Sequence, residues 1–241
     1  MSIKAVIFDI YNTLFDNHTI YWHRTFEEIC QKQNLKIDPE ELWTHWKAIE
    51  VSFRTNRLNL ANPDASPPFK TYETAWREAF ETTFENLSIN GNPEQAAKLS
   101  IESLGGRPPY PDTFQTLEAV QKQRKVAFLT NADNASVNKL FDSYNIASNM
   151  LFTSEKLQTY KPNPYVFHEV IRSLGLVAEE TVYVGDTLVE DIHGAKSAGL
   201  TAVWINRNEL QADPTLLQAD CEITKLNELV DILDYIDEVK R

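Results

Sequence analysis

The sequence predicts an α/β fold, a doubly wound (Rossmann-like) parallel sheet interrupted early by an α-helical insertion, and three observations predict it. Short continuous apolar runs, Ala5 to Phe8 (AVIF), Lys125 to Leu129 (KVAFL), Thr181 to Val184 (TVYV) and Thr201 to Ile205 (TAVWI), have the length and β-branched content of strands buried on both faces. Beyond residue 105 these runs alternate with segments of helical spacing, the pattern of βα units around a parallel sheet. Between Asn17 and about Glu102 the alternation is absent and apolar residues recur at helical spacing alone.

The first strand, Ala5 to Phe8, ends at Asp9. Ligands of open α/β sheets bind beyond the carboxyl ends of the strands, where the departing loops open a crevice. A carboxylate there is a nucleophile, a metal ligand or a cap of the next turn, and on Asp9 alone all three readings stand. In the insertion, helices are expected around Trp22, Phe26 and Ile29, around Leu42, Trp46, Ile49 and Phe53, and around Tyr72, Trp76, Phe80 and Phe84. Asp38-Pro39 opens one helix with Glu40 and Glu41 in its first turn. Asn62 to Pro68 (NPDASPP) and Asn90-Gly91-Asn92-Pro93 read as loops, with Glu94 to Ser103 helical after the second. Trp22, Trp43, Trp46 and Trp76 all fall here, and an aromatic stripe at helical spacing reads first as core.

Gly105-Gly106-Arg107-Pro108-Pro109 marks the return to the βα pattern. Helices are expected over Thr113 to Gln123, Ala135 to Tyr144, Pro164 to Leu174, Asp191 to Ala198 and Leu226 to Val239; short strands over residues 149 to 153 and Cys221 to Ile223 complete the sheet.

If the strands are parallel, Asp9, Thr130 and Asp186 emerge at one edge, with Lys161-Pro162 between them after a loop near Ser154-Glu155. Each has a plain alternative: Thr130-Asn131 as a helix cap, Lys161 as a solvated lysine, Asp186 and Asp191 as turn and cap carboxylates. The spacing GDTLVED also lets Asp186 and Asp191 face one point across a loop and the first turn of a helix. Beside Asp9 they would repel one another unless a cation joined them, and Mg²⁺ is the usual partner of an oxygen-only cluster that also holds a phosphate.

Composition bounds the partners. With 23 basic and 35 acidic residues the net charge is −12, which disfavours nucleic acid and anionic membrane surfaces. No apolar stretch approaches the ~20 residues of a membrane span, and the start MSIKAVIFD lacks a signal peptide's cleavage pattern; a soluble cytoplasmic protein is expected. Cys30 and Cys221 have no CxxC spacing and read as reduced and structural.

Four segments in order resemble the motifs of the haloacid dehalogenase superfamily: FDIYNTLF at 8 to 15, LTN at 129 to 131, Lys161 in YKPNPYVF, and VGDTLVEDIHGAKSAG at 184 to 199. The segment PYPDTFQTLEAV at 109 to 120 is similar to that family's re-entry from its cap. The resemblance implies a core domain of residues 1–16 and 105–241 with a helical cap domain of residues 17–104. It implies that Asp9 attacks phosphorus to form an aspartyl-phosphate, that Thr130 binds a phosphoryl oxygen, and that Lys161 neutralises charge and holds the nucleophile. It further implies Mg²⁺ held by the Asp9 side chain, the main-chain carbonyl of Tyr11, Asp186 and Asp191, with main-chain amides around Tyr11 and Asn131 in the phosphate cradle.

Two departures bear on the reaction. The family's phosphatases carry a second Asp two positions after the nucleophile as acid and base, and this chain has Tyr11, whose phenol with an ordinary pKa near ~10 donates a proton but is a poor base. Asn12 replaces the common Gly of that turn, a mild change because Asn tolerates positive φ. Tyr at position 11 is also what the 2-haloacid dehalogenases of the family carry; they need no metal and open an ester on the same Asp. Against that rival stand the paired acids Asp186 and Asp191, and Leu42-Trp43-Thr44 where those enzymes have a halide-binding arginine after Leu-Trp; Arg24, Arg54 and Arg57 are the available substitutes. A third reading is a weakly active or inactive homologue that binds a phosphorylated ligand.

Overall fold

The computed structural model describes residues 2–59, 62 and 65–239. Of the loop expected at Asn62 to Pro68, Pro63 and Asp64 lie outside the described residues. The chain divides into two compact units, one of Met1–Asp16, Pro108–Asn131 and Ala147–Arg241, the other of Asn17–Arg107 and Ala132–Ile146.

The first unit is built on six parallel strands, β1 (Ala5–Phe8), β2 (Lys125–Thr130), β3 (Leu151–Thr153), β4 (Thr181–Gly185), β5 (Thr201–Ile205) and β6 (Cys221–Ile223), in the order β3-β2-β1-β4-β5-β6. This is the doubly wound order, in which the chain leaves β1 to one side and returns to the other, so a switch point falls between β1 and β4. Phe8 pairs with Phe128 on β2 and with Val184 on β4, which brings the residues after all three to one level. Every residue of β1 is buried, as its unbroken apolar run requires. One sheet face, carrying Ala5, Ile7, Ala127, Leu129, Tyr183, Ala202 and Trp204, packs on Val166, Phe167, Val170 and Leu174 of the helix Pro164–Leu174. That helix starts where Asn163 accepts from the Tyr165 N–H with Pro164 in the first turn, and stops at Gly175, whose φ of 67° needs no Cβ. The helices Thr113–Gln121 and Leu229–Val239 complete this unit's larger helices, the latter after a 3₁₀ turn at Leu226–Glu228.

The second unit contains the helices Thr19–Gln33, Pro39–Asn56, Tyr72–Asn86 and Pro93–Leu104, together with Asn134–Ser143, which packs on Pro93–Leu104. Asp38 caps Pro39–Asn56 by accepting from Glu40 and Glu41 N–H. Asp133 accepts from the Tyr72 and Glu73 N–H groups and so closes the start of Tyr72–Asn86. The tryptophans form core: Trp46 and Trp76 are buried, Trp22 and Trp43 half-buried, and the Trp22 ring lies 5.6 Å from Trp43 and 5.3 Å from Trp76.

Two expectations need correction. Ser154–Leu157, read as loop, is a single helical turn that Thr153 caps by accepting from Lys156 N–H. The helix expected from Asp191 begins at Leu188 as a π-helix over Leu188–His193, because the Thr187 carbonyl accepts from both Asp191 N–H at 2.9 Å and Ile192 N–H at 3.2 Å. Among the described residues no helix is long and apolar enough to cross a membrane. Neither Cys30, buried, nor Cys221, half-buried, is in a disulfide.

Candidate active site

Asp9 follows the last residue of β1, its N–H donating to the Val184 carbonyl of β4 at 2.9 Å, so its position is set by sheet pairing itself. By alternation it continues the face of Ala5 and Ile7, and from that side Lys161, Tyr183 and Asp191 converge on it. The Lys161 ammonium lies 2.7 Å from Asp9 Oδ1 and 2.6 Å from Asp191 Oδ1, and all three residues are buried. Lys161 is aimed by Asn131, whose side chain grips its main chain twice: Oδ1 accepts from Lys161 N–H at 2.8 Å and Nδ2 donates to the Lys161 carbonyl at 3.1 Å. The Asn131 Nδ2 also donates to Glu190 Oε2 at 3.1 Å. The peptide bond from Lys161 to Pro162 is cis.

Asp186 is half-buried at the end of β4, and its main-chain carbonyl accepts from the Trp204 indole N–H at 2.9 Å. Ligand oxygens of Asp9, Asp186 and Asp191 lie within 4.8 Å of one another. Gly185 permits this approach: a Cβ there would stand 2.4 Å from Asp191 Cγ, so only glycine fits.

The charges are unevenly matched. Burial raises the Asp9 carboxyl to about 7, and Asp191 adds to the rise, against the pull of Lys161. Asp186 is pushed well above the usual carboxylate range by desolvation first and then by Asp191 and Asp9. Lys161 is itself raised, because the attraction of Asp191 and Asp9 exceeds its desolvation cost. Both partners of the Lys161–Asp9 pair thus shift upward: the single ammonium is held by two carboxylates, while Asp9 is desolvated and also meets the charge of Asp191. Among the described residues the Asp186 side chain has one long hydrogen bond, from the Thr187 hydroxyl at 3.4 Å. Three carboxylates against one ammonium carry two excess negative charges when ionised, and an all-oxygen donor set of this kind fits a hard divalent cation.

The loop after Asp9 is closed by its own main chain, with Leu14 and Phe15 N–H donating to the Ile10 carbonyl and Asn12 N–H to the Phe15 carbonyl. Asn12 adopts φ 63°, the left-handed conformation expected of it. Tyr11 is half-buried with its hydroxyl oxygen shielded from solvent. Thr130 ends β2, is buried, and its hydroxyl makes no hydrogen bond among the described residues. The structure therefore brings Asp9, Lys161, Asp186 and Asp191 together, attaches Asn131 to Lys161 through its side chain, and sets Thr130 at the adjacent strand end.

Two residues of the network escaped sequence reasoning. The Tyr183 hydroxyl lies 2.9 Å from Lys161 Nζ and 2.7 Å from Asp191 Oδ1, and burial raises its phenol well above its ordinary range. Glu190 meets Asn131. A tyrosine inside an otherwise apolar buried strand was the available signal, since a buried phenol needs a partner for its O–H.

The haloacid dehalogenase-like hydrolase profile matches residues 3–199. The chain is 32% identical over 240 residues to a glyceraldehyde 3-phosphate phosphatase of Methanocaldococcus jannaschii, covering 96% of this chain and 97% of that protein. It is 24% identical over 222 residues to an (S)-2-haloacid dehalogenase of Pseudomonas putida, covering 89% and 91%. Among solved structures it superposes with a TM-score of 0.78, at 19% identity and covering 97% and 100% of the two chains, on the HAD-hydrolase YfnB of Bacillus subtilis bound to magnesium.

Proposed function

Because the chain belongs to the haloacid dehalogenase-like hydrolases, we propose that it is a Mg²⁺-dependent phosphatase acting on a small phosphorylated molecule through an aspartyl-phosphate at Asp9. The observation that carries this reading is Asp186, a third carboxylate within 4.8 Å of ligand oxygens of Asp9 and Asp191 and raised by desolvation first and then by their charge. An attack on carbon by Asp9 has no need of that carboxylate, whereas a bound cation does. Asp9 and Asp186 would hold Mg²⁺ together with the Tyr11 carbonyl and with Asp191, and the ion would offset charge on the phosphoryl oxygens.

The chain's own groups supply the rest. The Asp9 carboxylate attacks phosphorus, the bond from phosphorus to the leaving oxygen breaks, and that oxygen takes a proton; water then opens the acyl phosphate and frees Asp9. Lys161 holds Asp9 Oδ1 at 2.7 Å, fixing the carboxylate before substrate arrives. Thr130 and the main-chain amide of Asn131 bind phosphoryl oxygens, and the Asn131 side chain acts at one remove by orienting Lys161. Tyr11 can donate the leaving-group proton but is a weak base for the water step. Residues 17–104 are proposed as the cap domain that supplies specificity.

Dehalogenation is the second reading, favoured by Tyr11 and by relatives named as haloacid dehalogenases. Within the helical unit, Arg54 pairs with Glu50 at 3.0 Å and Arg57 donates to the Tyr72 hydroxyl, so both are engaged inside that unit. The test is direct. Purified protein is expected to release phosphate from an aryl phosphate with Mg²⁺ and not with EDTA, and Asp9→Asn to lose at least about 100-fold in kcat. Metal-independent halide release from 2-chloropropionate without phosphate release would overturn the proposal in favour of its rival.

A further inference from the structure

Lys161 has three N–H donors, and its ammonium meets three buried acceptors: Asp191 Oδ1 at 2.6 Å, Asp9 Oδ1 at 2.7 Å and the Tyr183 hydroxyl oxygen at 2.9 Å. Since the Tyr183 oxygen accepts from Lys161, its single proton is free to go elsewhere. Asp191 Oδ1 at 2.7 Å is nearer than the Leu129 carbonyl at 3.3 Å and is charged, so the bond to Asp191 is the stronger. Lys161, Tyr183 and Asp191 thus close a three-membered ring of hydrogen bonds, and only the remaining Lys161 proton points to Asp9. The second Asp191 oxygen accepts from Thr187 N–H at 2.9 Å, which locks the carboxylate that locks the ring. Tyr183 is fully buried on β4 with its ring 5.1 Å from Phe167, so its hydroxyl stands at a point fixed by the sheet and by the helix Pro164–Leu174.

We propose that Tyr183 is a positioning residue for the hydrolytic step: by sharing Asp191 with Lys161 it restricts the ammonium to one orientation, aimed at Asp9. Without the phenol oxygen, one Lys161 proton has no acceptor in a buried site, and the ammonium turns between Asp9 and Asp191. The proposal rests on the reading of Asp9 as nucleophile and Lys161 as its partner, and holds whether Asp9 attacks phosphorus or carbon.

Tyr183→Phe keeps the ring and its contact with Phe167 and removes only the oxygen. Assayed with an aryl phosphate plus Mg²⁺ and with 2-chloropropionate, it is expected to lower kcat by about 10- to 100-fold with KM within about threefold of wild type. A core tyrosine without this role would change melting temperature and leave the split between kcat and KM untouched. The second measurement needs no turnover. In ¹⁵N-lysine-labelled wild-type protein the Lys161 ammonium is expected to give a slowly exchanging signal with a cross-peak to the Tyr183 ring, and in Tyr183→Phe that signal broadens. A kcat within about twofold of wild type, an unchanged signal in the variant, or no slowly exchanging signal in the wild type overturns the proposal. If wild type cleaves neither substrate, the proposed function fails while the Lys161 signal still decides the role of Tyr183.

Discussion

Tyr11 and Asp9 stand two positions apart, and the proposed function gives them the proton-donor and nucleophile roles. Asp9 is held by Lys161 at 2.7 Å, whereas Tyr11 has a phenol where the resemblance to the family's phosphatases implies a carboxylic acid for proton transfer. Tyr11→Asp is therefore expected to raise Mg²⁺-dependent phosphate release by at least about tenfold, the lower end of what a placed acid and base contributes being ~100-fold. An unchanged or lower rate would mean that proton transfer does not limit the reaction. At this scale the sequence was readable where a strand ends: Asp9, Thr130 and Asp186 were expected there and stand there, whereas for Lys161 and Asp191 it gave the candidates and not the distances that join them. Tyr183 was not, because TVYV satisfies the pattern of a buried strand with or without the hydroxyl. Asn131 was read as a source of a main-chain amide, and its grip on both polar main-chain groups of Lys161 depends on a loop 30 residues away in sequence, which no local pattern encodes.

Elements with local signals were the most legible. Asp38-Pro39, Asn92-Pro93 and Asn163-Pro164 each start a helix, because both the cap hydrogen bond and the proline φ are decided within four residues. The π-helix after β4 had no such signal. Its wide turn comes from one carbonyl accepting two N–H groups, and it carries Asp191 to Lys161 from the first turn. The start of Tyr72–Asn86 is likewise a tertiary event, since Asp133 lies 61 residues from Tyr72. Asp133→Ala leaves the Tyr72 and Glu73 N–H groups without that carboxylate and is expected to destabilise the protein by about 1–2 kcal/mol, within the range for a lost helix cap. Urea denaturation would read this as a lower midpoint at constant slope, and a change below about 0.3 kcal/mol would show that Thr71 and solvent replace Asp133.

The whole molecule carries a net charge of −12, and its site groups three carboxylates around one ammonium, two more than that ammonium can balance. The doubly wound order was legible because it follows from the succession of buried runs and right-handed crossovers; the concentration of charge at its switch point was legible only as a possibility, since charge balance depends on distances. That balance links stability to pH. An acid whose pKa is higher folded than unfolded binds its proton more tightly in the folded state, so its contribution is most favourable below the unfolded value near ~4 and is lost as pH rises through the folded value. For Asp9 that loss falls between ~4 and about 7, and Asp186 shifts in the same direction. Metal-free protein is therefore expected to lose stability across this window from these two groups. Mg²⁺ binding reverses the loss, because the cation binds the deprotonated carboxylates and competes with protons. At ~100 times its dissociation constant a ligand stabilises by about 2.7 kcal/mol, which for a chain of this size raises Tm by roughly 5–10 °C. The gain with MgCl₂ over NaCl of equal ionic strength is expected to be full at pH 8, small at pH 5.5, and absent at both in Asp186→Asn. Equal gains at the two pH values would mean that Mg²⁺ binds elsewhere on the acidic surface, and a gain that survives in Asp186→Asn would remove the carboxylate on which the phosphatase reading stands.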